Sequence, residues 1–361
     1  MSSAFDRDVW AILGMPLDNV TLDEAARLVE QAVETRTRLS FVTPNVNWLV
    51  RALKDKEIMR QIINADLSLA DGAPVVWLAK QLGMPLRERV AGADLYERLR
   101  SDTDQNARPI RIFFFGGREG AAEAAGRTVE RENGRLICAG WHNPGFGDVQ
   151  SMSTADIRHK INAAQADFII VSLGAAKGQA WIEHNLAHLD APVIAHLGAV
   201  VDFAAGTIRR APGWVSRAGL EWIWRIFAEP ALWRRYWNDG KDFAALIHRR
   251  LGVLKRAGRV KSVQAVVAEP AAPNAIKLSG DLVVAQRQDI REAFKIVAKK
   301  TGDCTLDLTN VGAIDAAGLG QIRMLEQSLM RRGHRLDILA SHQTKPALDA
   351  AQMTLQGVSL R

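Results

Sequence analysis

Asp71 is the first residue whose type and position could do chemistry. It follows the apolar run in DLSLADG and precedes Gly72 and a predicted helix. A carboxylate at the carboxyl end of a strand can reach a bound substrate and accept a proton from it as a general base. An aspartate that caps the next helix or closes a turn has the same sequence signature. Asp71 is therefore a candidate catalytic residue, with the capping alternative left open.

A glycine turn is the second candidate feature. GGREG (116–120) follows the apolar run RIFFF and opens a predicted helix. This geometry lets backbone N–H groups approach a phosphate. The full GxGxxG motif is absent, and no acidic ribose partner is evident about twenty residues later, so a nicotinamide enzyme receives little support.

Two short segments resemble metal-binding motifs in the spacing of their Asp or His residues. DTD (102–104) lies in a polar loop, and HNLAH (184–188) lacks the Glu of HExxH and an evident third ligand. Cys138 and Cys304 are far apart in the sequence and form neither a disulfide framework nor a ligand cluster. The sequence predicts no metal site.

The elements that must position these residues are short apolar runs alternating with helical-period segments. Predicted strands lie at 39–45, 66–72, 111–117, 135–141, 167–174 and 193–199. The alternation predicts an α/β fold with a largely parallel sheet. Because ligands collect at the carboxyl ends of such strands, we expect four segments to share one edge: TPN (43–45), ADG (70–72), GGREG and GAAKGQ (174–179).

A basic, Trp-rich region follows the predicted sheet. Residues 208–261 contain thirteen Lys or Arg against four acidic residues, in a chain whose net charge is +7. The stretch WIWRIFAEPALWRRYW (222–237) holds four of the ten Trp, and Pro230 is predicted to separate two helices. Such a region faces nucleic acid, a phosphorylated substrate or anionic lipid. The aromatic residues fall at helical spacing, which argues against nucleic acid as the partner.

The composition divides the chain into four parts. We predict a core at 1–207, a basic helical appendage at 208–261, an Ala- and Pro-rich linker at 262–274 and a second, small α/β domain at 275–361. The start of the chain lacks a signal-peptide pattern, and no uninterrupted apolar run reaches about 18 residues. We therefore expect a cytoplasmic protein.

Over roughly residues 10–245 the chain resembles the WecG/TagA/CpsF glycosyltransferases, family 26. The matching segments are TPN, NADLSLADGAPVVW (64–77), ERVAGADL (88–95), FFFGG (113–117), VVDFAAGTIRRAPGW (200–214) and GLEWIWRIFAEPALWRRYW (219–237). The resemblance implies a Rossmann-like, mostly parallel sheet. It also implies inverting transfer of a sugar from a UDP-sugar to a polyprenyl-diphosphate-linked glycolipid in surface polysaccharide biosynthesis. The alternative is a non-catalytic scaffold built on the same fold.

The resemblance assigns roles on the acceptor side of the site. It implies that Asp71 is the general base that deprotonates the acceptor hydroxyl. Thr43 and Asn45 would line the same pocket, and Arg89 would balance charge on the diphosphates. Which sugar is transferred, and to which glycan, the sequence leaves open.

The resemblance also indicates a nucleotide side. Asp202 is the candidate ligand for uracil or ribose, with Gly116 and Gly117 beside it. Departing UDP carries extra negative charge, which Arg89, Arg209 and Arg210 could stabilise in place of a metal ion. We therefore expect a metal-independent transfer without a cofactor.

The basic appendage is predicted to meet the membrane. Arg225, Arg234 and Arg235 would face the acceptor's diphosphate and the anionic inner face of the plasma membrane, with Trp residues in the headgroup layer. The stripe of Ile223, Ile226 and Phe227 is predicted to face the core. The protein would then be peripheral to the membrane.

One segment departs from the family pattern. Where the family has GxPKQExW, this chain has GAAKGQAW (174–181), with Gly178 in place of the usual Gln and Gln179 in place of the usual Glu. Either Gln179 takes over the polar role from the neighbouring position or donor recognition differs.

The C-terminal region resembles STAS domains through residues 304–340. Switchable members carry DSSG, whose second Ser is phosphorylated, whereas this chain carries DAAG with Ala317 at that position. The resemblance thus excludes phosphorylation there and leaves two roles open, docking of a protein partner and stabilisation of the rest of the chain.

Overall fold

The computed structural model describes most of the 361 residues. The described ranges are 4–102, 104, 107–132, 134–208, 210–212, 214–215, 219–259, 263–272, 274–299, 302–353 and 358–360. The strands are β1 Val9–Ile12, β2 Met15–Asp18, β3 Leu39–Val42, β4 Leu67–Ser68, β5 Ile110–Gly116, β6 Leu136–His142, β7 Phe168–Ser172, β8 Val193–His196, β9 Val267–Ala272, β10 Ala275–Leu282, β11 Cys304–Ile314, β12 Leu336–Ala340 and β13 Val358–Leu360. The α-helices are Leu22–Thr35, Val46–Ala52, Lys56–Asn64, Ala73–Gln81, Gly92–Arg100, Ala121–Glu132, Ala155–Ala163, Ala175–Asn185, Val200–Ala204, Glu221–Ala228, Trp233–Ala257, Arg287–Val297, Ala316–Met330 and Lys345–Ala350.

A six-stranded sheet organises the first two hundred residues. Its strand order is β4-β3-β8-β7-β5-β6, and every neighbouring pair is parallel. The predicted α/β class and the mostly parallel sheet are thus confirmed, and all six predicted strands are present. The designation Rossmann-like stays a prediction.

The central strands are buried on both faces. In β5, Ile112 and Phe114 pack into one core, while Phe113 and Phe115 pack into a second core on the opposite face. Side chains alternate across a strand, so a strand between two helical layers must be apolar at every position. This explains the continuous apolar runs of the sequence.

The carboxyl ends of β3 and β4 are tied together by the backbone. Leu69 N–H donates to Val42 O at 2.9 Å, and Asp71 N–H donates to Pro44 O at 3.2 Å. Directly after Pro44, the Asn45 side chain caps the helix Val46–Ala52. The TPN and ADG segments are therefore held beside each other at one edge of the sheet.

The antiparallel hairpin β1–β2 is not among the elements predicted from the sequence. Its turn contains Leu13 (φ 52°) and Gly14 (φ 89°). Two positive φ values match the type I′ turn of tight hairpins, whose sequence signal is usually Asn-Gly. Leucine at the first of these positions removes that signal.

The predicted linker at 262–274 is wrong in part, because strand β9 lies within it. β9 pairs antiparallel with β10 and forms the edge of a second sheet of order β13-β12-β11-β10-β9. The other neighbouring pairs of this sheet are parallel. Pro270 is tolerated because an edge strand does not need every backbone donor.

The C-terminal region is docked on the N-terminal region. Residues of both form one continuous hydrophobic core, and the helix Ala316–Met330 packs against β1. The fully buried Arg323 donates to Gly14 O at 2.8 Å and to Ala351 O at 3.1 Å. The helix that follows the DAAG segment is therefore covered by this chain itself.

Within the part of the chain that the structure describes, none of the helices combines the length and the apolar character that crossing a bilayer requires.

Candidate active site

A cavity of about 390 Å³ opens between the carboxyl edge of the six-stranded sheet and the basic appendage. The sheet side contributes Asn45, Asn47, Asp71 and Arg89. The appendage contributes Glu221, Trp222, Arg225, Arg235, Tyr236, Asp239 and Phe243. Carboxylate, amide and guanidinium groups thus meet aromatic rings in one space.

Asp71 faces this cavity and does not cap a helix. The N-cap of the helix Ala73–Gln81 is Gly72, whose φ of 91° is the left-handed conformation that glycine favours, and the cap has no side-chain hydrogen bond. Among the described residues, the ion-pair partner of Asp71 is Arg89, with Nη1 at 3.9 Å from Oδ1. The helix-capping alternative is therefore wrong, and the carboxylate is available to a substrate.

The surroundings of Asp71 make its carboxyl a base near neutral pH. Although 26% of the side chain is exposed to the cavity, burial raises the pKa of Asp71 to about 7. Arg89 opposes this rise in pKa, and the negative charges of Glu221 and Asp94 add to it. A base with a pKa near the working pH suits proton abstraction.

Arg89 is shared among three carboxylates. Its Nη2 lies 2.5 Å from Asp94 Oδ2, and its Nη1 lies 2.8 Å from Glu221 Oε2. Burial works in the opposite direction, but the charges of Asp94, Asp71 and Glu221 raise the pKa of Arg89. The guanidinium therefore stays charged beside the cavity.

Asp202 lies in a neighbouring buried subsite with one oxygen unpaired. Its Oδ1 has no hydrogen-bond partner among the described residues, and only 8% of the residue is exposed. Burial raises the pKa of Asp202, against the charges of Arg118 and Arg225. A buried acceptor without a hydrogen bond lowers the stability of the fold, and a ligand that donates to it removes this cost. The Asp202 oxygen therefore fits a site for a hydroxyl or imide N–H group.

Gly117 lies beside this subsite, and the turn that it forms with Gly116 is tightly packed. A Cβ on Gly116 would lie 2.6 Å from Ser172 O, and one on Gly117 would lie 3.0 Å from Val201 Cγ1. Val201 precedes Asp202 in the helix Val200–Ala204. The predicted proximity of the glycine turn to Asp202 is therefore present.

Arg225 lies between the two subsites. It lines the Asp71 cavity, its charge acts on Asp202, and its Nη2 donates to Glu229 Oε1 at 3.0 Å. Its guanidinium also lies over the Phe203 ring, 5.5 Å from the centroid. A diphosphate that spans the two subsites would therefore pass beside Arg225.

The helix Trp233–Ala257 closes the cavity from the appendage side. Asn47 Nδ2 donates to Asp239 Oδ2 at 3.0 Å, which fixes the helix against the TPN segment. Both arginines are exposed, but Arg235 lines the cavity and Arg234 lies over the Trp233 ring. The two arginines therefore face different surroundings.

Thr43 and Arg210 do not line the cavity. Thr43 is buried, and its Oγ1 is 3.5 Å from where a Cβ on Gly92 would sit. Arg210 forms an ion pair with Asp94 and so supports Arg89 from behind. Arg209 lies outside the described residues.

The structure places Gln179 away from the Asp71 cavity. It is 3% exposed and lines a separate cavity with Arg38, Asp66 and Glu183 near the opposite ends of β3 and β4. The neighbouring Gly178 is needed for packing, because a Cβ there would lie 2.1 Å from His196 Cδ2. Gln179 therefore does not join the other predicted residues.

Sequence reasoning missed Asp94 and Glu221. Both lie in segments that matched the family, five residues after Arg89 and two after Gly219. Their acidic type next to an expected diphosphate site was the available signal. Their meeting at Arg89 depends on a contact across 132 residues.

The appendage exposes large aromatic side chains, of which Trp222 lines the cavity. We call this set the aromatic surface: Trp214, Trp222, Phe227, Trp233 and Trp237, which are 66, 44, 80, 51 and 64% exposed. The helix Glu221–Ala228 ends before Pro230, as predicted, and a 3-10 turn at Pro230–Leu232 leads into the helix Trp233–Ala257. The predicted core position of Phe227 is wrong, because its ring is exposed.

The parallel sheet and this edge define a class of site, a basic carboxylate beside arginines that can neutralise a phosphorylated substrate. The chain belongs to the WecG/TagA/CpsF family of glycosyl transferases, whose sequence model matches residues 10–257. It is therefore an enzyme of the glycosyltransferase class. The family match ends at residue 257, before the C-terminal region.

Three similar relatives share one name, N-acetylglucosaminyldiphosphoundecaprenol N-acetyl-beta-D-mannosaminyltransferase. The relative from Bacillus spizizenii is 32% identical over 212 residues, 58% of this chain and 79% of the relative. The Bacillus subtilis relative is 28% identical, with 55% of this chain and 73% of the relative covered. The Staphylococcus aureus relative is 25% identical, with 62 and 85% covered.

Proposed function

We propose that this protein transfers a sugar, with inversion, from a UDP-sugar to a polyprenyl-diphosphate-linked acceptor, and that Asp71 is the general base. The observation that carries the proposal is the Asp71 carboxylate, which faces the cavity without a hydrogen-bonded partner among the described residues and has a pKa of about 7. An acceptor hydroxyl in the cavity would lose its proton to Asp71 as its oxygen attacks the anomeric carbon. Direct attack displaces UDP and inverts the anomeric centre.

The leaving UDP would occupy the subsite of Asp202 and Gly117. The unpaired Asp202 oxygen would accept a hydrogen bond from ribose or uracil. Arg225 and Arg89 would stabilise the charge that develops on the diphosphate, in the role that a metal ion plays in other transferases. We therefore propose a metal-independent reaction.

The relatives' names supply the first substrates to try. Those proteins are named for transfer of N-acetylmannosamine to a diphosphoundecaprenol-linked N-acetylglucosamine. Because the GAAKGQAW segment differs from the family pattern, other UDP-sugars belong in the same panel.

The aromatic surface would seat the enzyme on the inner face of the plasma membrane. Trp side chains favour the headgroup layer, and each Arg near anionic lipid contributes about 1 kcal/mol. Arg234 is exposed beside Trp233, and Arg235 reaches into the cavity. A lipid-linked acceptor could then enter the cavity while its polyprenyl chain stays in the bilayer.

The buried helix Ala316–Met330 supports the stabilising role for the STAS-like region. The face of this helix that packs on β1 cannot bind a second protein at the same time. We therefore propose that this region acts within the chain.

A donor panel tests the proposal. The protein is incubated with each UDP-sugar, with and without polyprenyl-diphosphate N-acetylglucosamine, and released UDP is measured. We expect release with one donor, dependent on the acceptor and retained in EDTA. No acceptor-dependent release with any donor would contradict the proposal, and loss in EDTA that Mg²⁺ restores would contradict its metal-independent part.

A further inference from the structure

The way in which one guanidinium is shared indicates a role for Glu221. Arg89 Nη2 is 2.5 Å from Asp94, and Nη1 is 2.8 Å from Glu221. The nearest Asp71 oxygen is 3.9 Å from Nη1, beyond hydrogen-bond range. Arg89 is thus held by two other carboxylates, and the Asp71 lone pairs stay free.

Glu221 reaches this site from a different part of the fold. It is the first residue of the helix Glu221–Ala228, whose N-cap Leu220 makes no side-chain hydrogen bond. Its carboxylate is 24% exposed and, among the described residues, forms an ion pair with Arg89 alone. The appendage therefore delivers a negative charge to the site in addition to its arginines.

We propose that Glu221 is a positioning residue that holds the Arg89 guanidinium away from Asp71, so that the Asp71 carboxylate can accept the proton of the acceptor hydroxyl. This inference rests on the proposed function, in which Asp71 is the base. Without the Glu221 charge, Arg89 Nη1 could close the 3.9 Å gap and pair with Asp71. The base would then be occupied by an ion pair.

Of the other charged groups around Asp71, Asp94 also raises the pKa of Asp71. Asp94 also contacts Arg89, but Arg210 binds Asp94 from its other side. Arg225 acts on Asp71 with the opposite sign. The remaining charged or titratable groups that line the cavity are Arg235, Tyr236 and Asp239.

The charges around Asp71 determine in which direction Glu221→Gln shifts the pKa of Asp71. Burial is the first cause of the raised pKa of Asp71, Arg89 opposes it, and Glu221 adds to it. The substitution Glu221→Gln removes a raising charge and leaves Arg89 free to approach. Both effects lower the pKa of Asp71.

A direct titration tests the inference without any substrate. The protein is labelled with ¹³C at aspartate carboxyl groups, and the Asp71 signal is identified by its absence in Asp71→Asn. We expect Glu221→Gln to lower the titration midpoint by about one pH unit. The matched control is Glu229→Gln, because Glu229 pairs with Arg225 and Arg118 and makes no contact with Arg89 among the described residues.

The pH dependence of transfer is the second readout. In Glu221→Gln the acid limb of kcat should move to lower pH, and kcat above pH 8 should fall roughly threefold because the base is weaker. The KM for the UDP-sugar should not change. An unmoved midpoint in Glu221→Gln, or an equal shift in Glu229→Gln, would overturn the inference. Full activity of Asp71→Asn would instead overturn the proposed function, so the two failures are distinguishable.

Discussion

At the scale of single residues, the raised pKa that makes Asp71 a base also lowers the stability of the folded protein at neutral and higher pH. Its pKa in the folded protein, about 7, lies above the ordinary 3.8, so ionisation favours the unfolded chain. This carboxyl stabilises the fold fully below about pH 4, and that contribution is lost as the pH rises through 7. An uncharged side chain at this position should therefore be more stable above neutrality.

We expect Asp71→Asn to be more stable than the wild type at pH 8, by about 1–4 kcal/mol, and nearly equal to it at pH 4. The free energy of unfolding in urea at the two pH values measures this difference. The exposed Asp289, in the C-terminal region, provides the control Asp289→Asn. A difference between Asp71→Asn and wild type that does not grow with pH would contradict the account.

Only part of this residue-scale chemistry could be predicted from the sequence. Asp71 and Arg89 were recognisable because each lies in a short segment with a distinctive pattern. Asp94 contacts Arg89 from five residues further along the same segment, whereas Glu221 could not be placed, because its contact with Arg89 depends on how the appendage folds back over the sheet. Gln179 was assigned by position in a motif, but the helix Ala175–Asn185 directs it into another cavity.

At the scale of elements, the helix Trp233–Ala257 joins the cavity to the exposed aromatic surface. Trp233 and Trp237 are one helical turn apart, and Arg234 is exposed between them. The same helix contributes Arg235 and Tyr236 to the cavity wall. Its exposed face and its cavity face can therefore be tested separately.

The triple variant Trp233→Ala, Arg234→Glu, Trp237→Ala should lose binding to anionic vesicles at least tenfold, since each arginine alone contributes about 1 kcal/mol. Cosedimentation with vesicles measures it, and UDP binding should not change. The matched control, Ile296→Ala with Lys299→Glu, alters one exposed apolar and one exposed cationic side chain in the C-terminal region. Equal vesicle binding by the triple variant and wild type would show that the aromatic surface does not bind the membrane.

Element boundaries were predictable where periodicity was strong. The six strands of the main sheet and the break at Pro230 followed from apolar runs and proline chemistry. The hairpin β1–β2 and the strand β9 were not predictable, because Leu13 in a positive-φ turn and Pro270 in a strand both run against local preference. Tertiary packing outweighs that preference in both places.

At the scale of the whole molecule, the C-terminal region braces the appendage. The helix Trp233–Ala257 packs on the helix Val46–Ala52 near the cavity and on Lys345–Ala350 in the C-terminal region. Arg250 donates to Ala350 O at 3.2 Å along this second contact. Composition alone did not indicate this contact, because Arg250 and Ala350 are 100 residues apart in the sequence.

The close approach of Gly320 to β1 provides the test of this docking. A Cβ on Gly320 would lie 2.2 Å from Val9 O, whereas a Cβ on Gly252 would meet no atom within 4 Å. Both residues are helical, so replacement by Ala gives each about the same gain in helix propensity. We expect Gly320→Ala to be less stable than Gly252→Ala by about 1–3 kcal/mol of unfolding free energy. Equal stabilities would contradict the tight docking.

The most direct test of the central claim is the turnover of Asp71→Asn with the donor and lipid acceptor that the panel identifies. Transfer of radiolabelled sugar to the lipid is measured at pH 8, together with binding of UDP. We expect a kcat lower by at least about 100-fold with unchanged UDP affinity, because only the proton acceptor is lost. A kcat within about tenfold of wild type would contradict the assignment of Asp71 as the base.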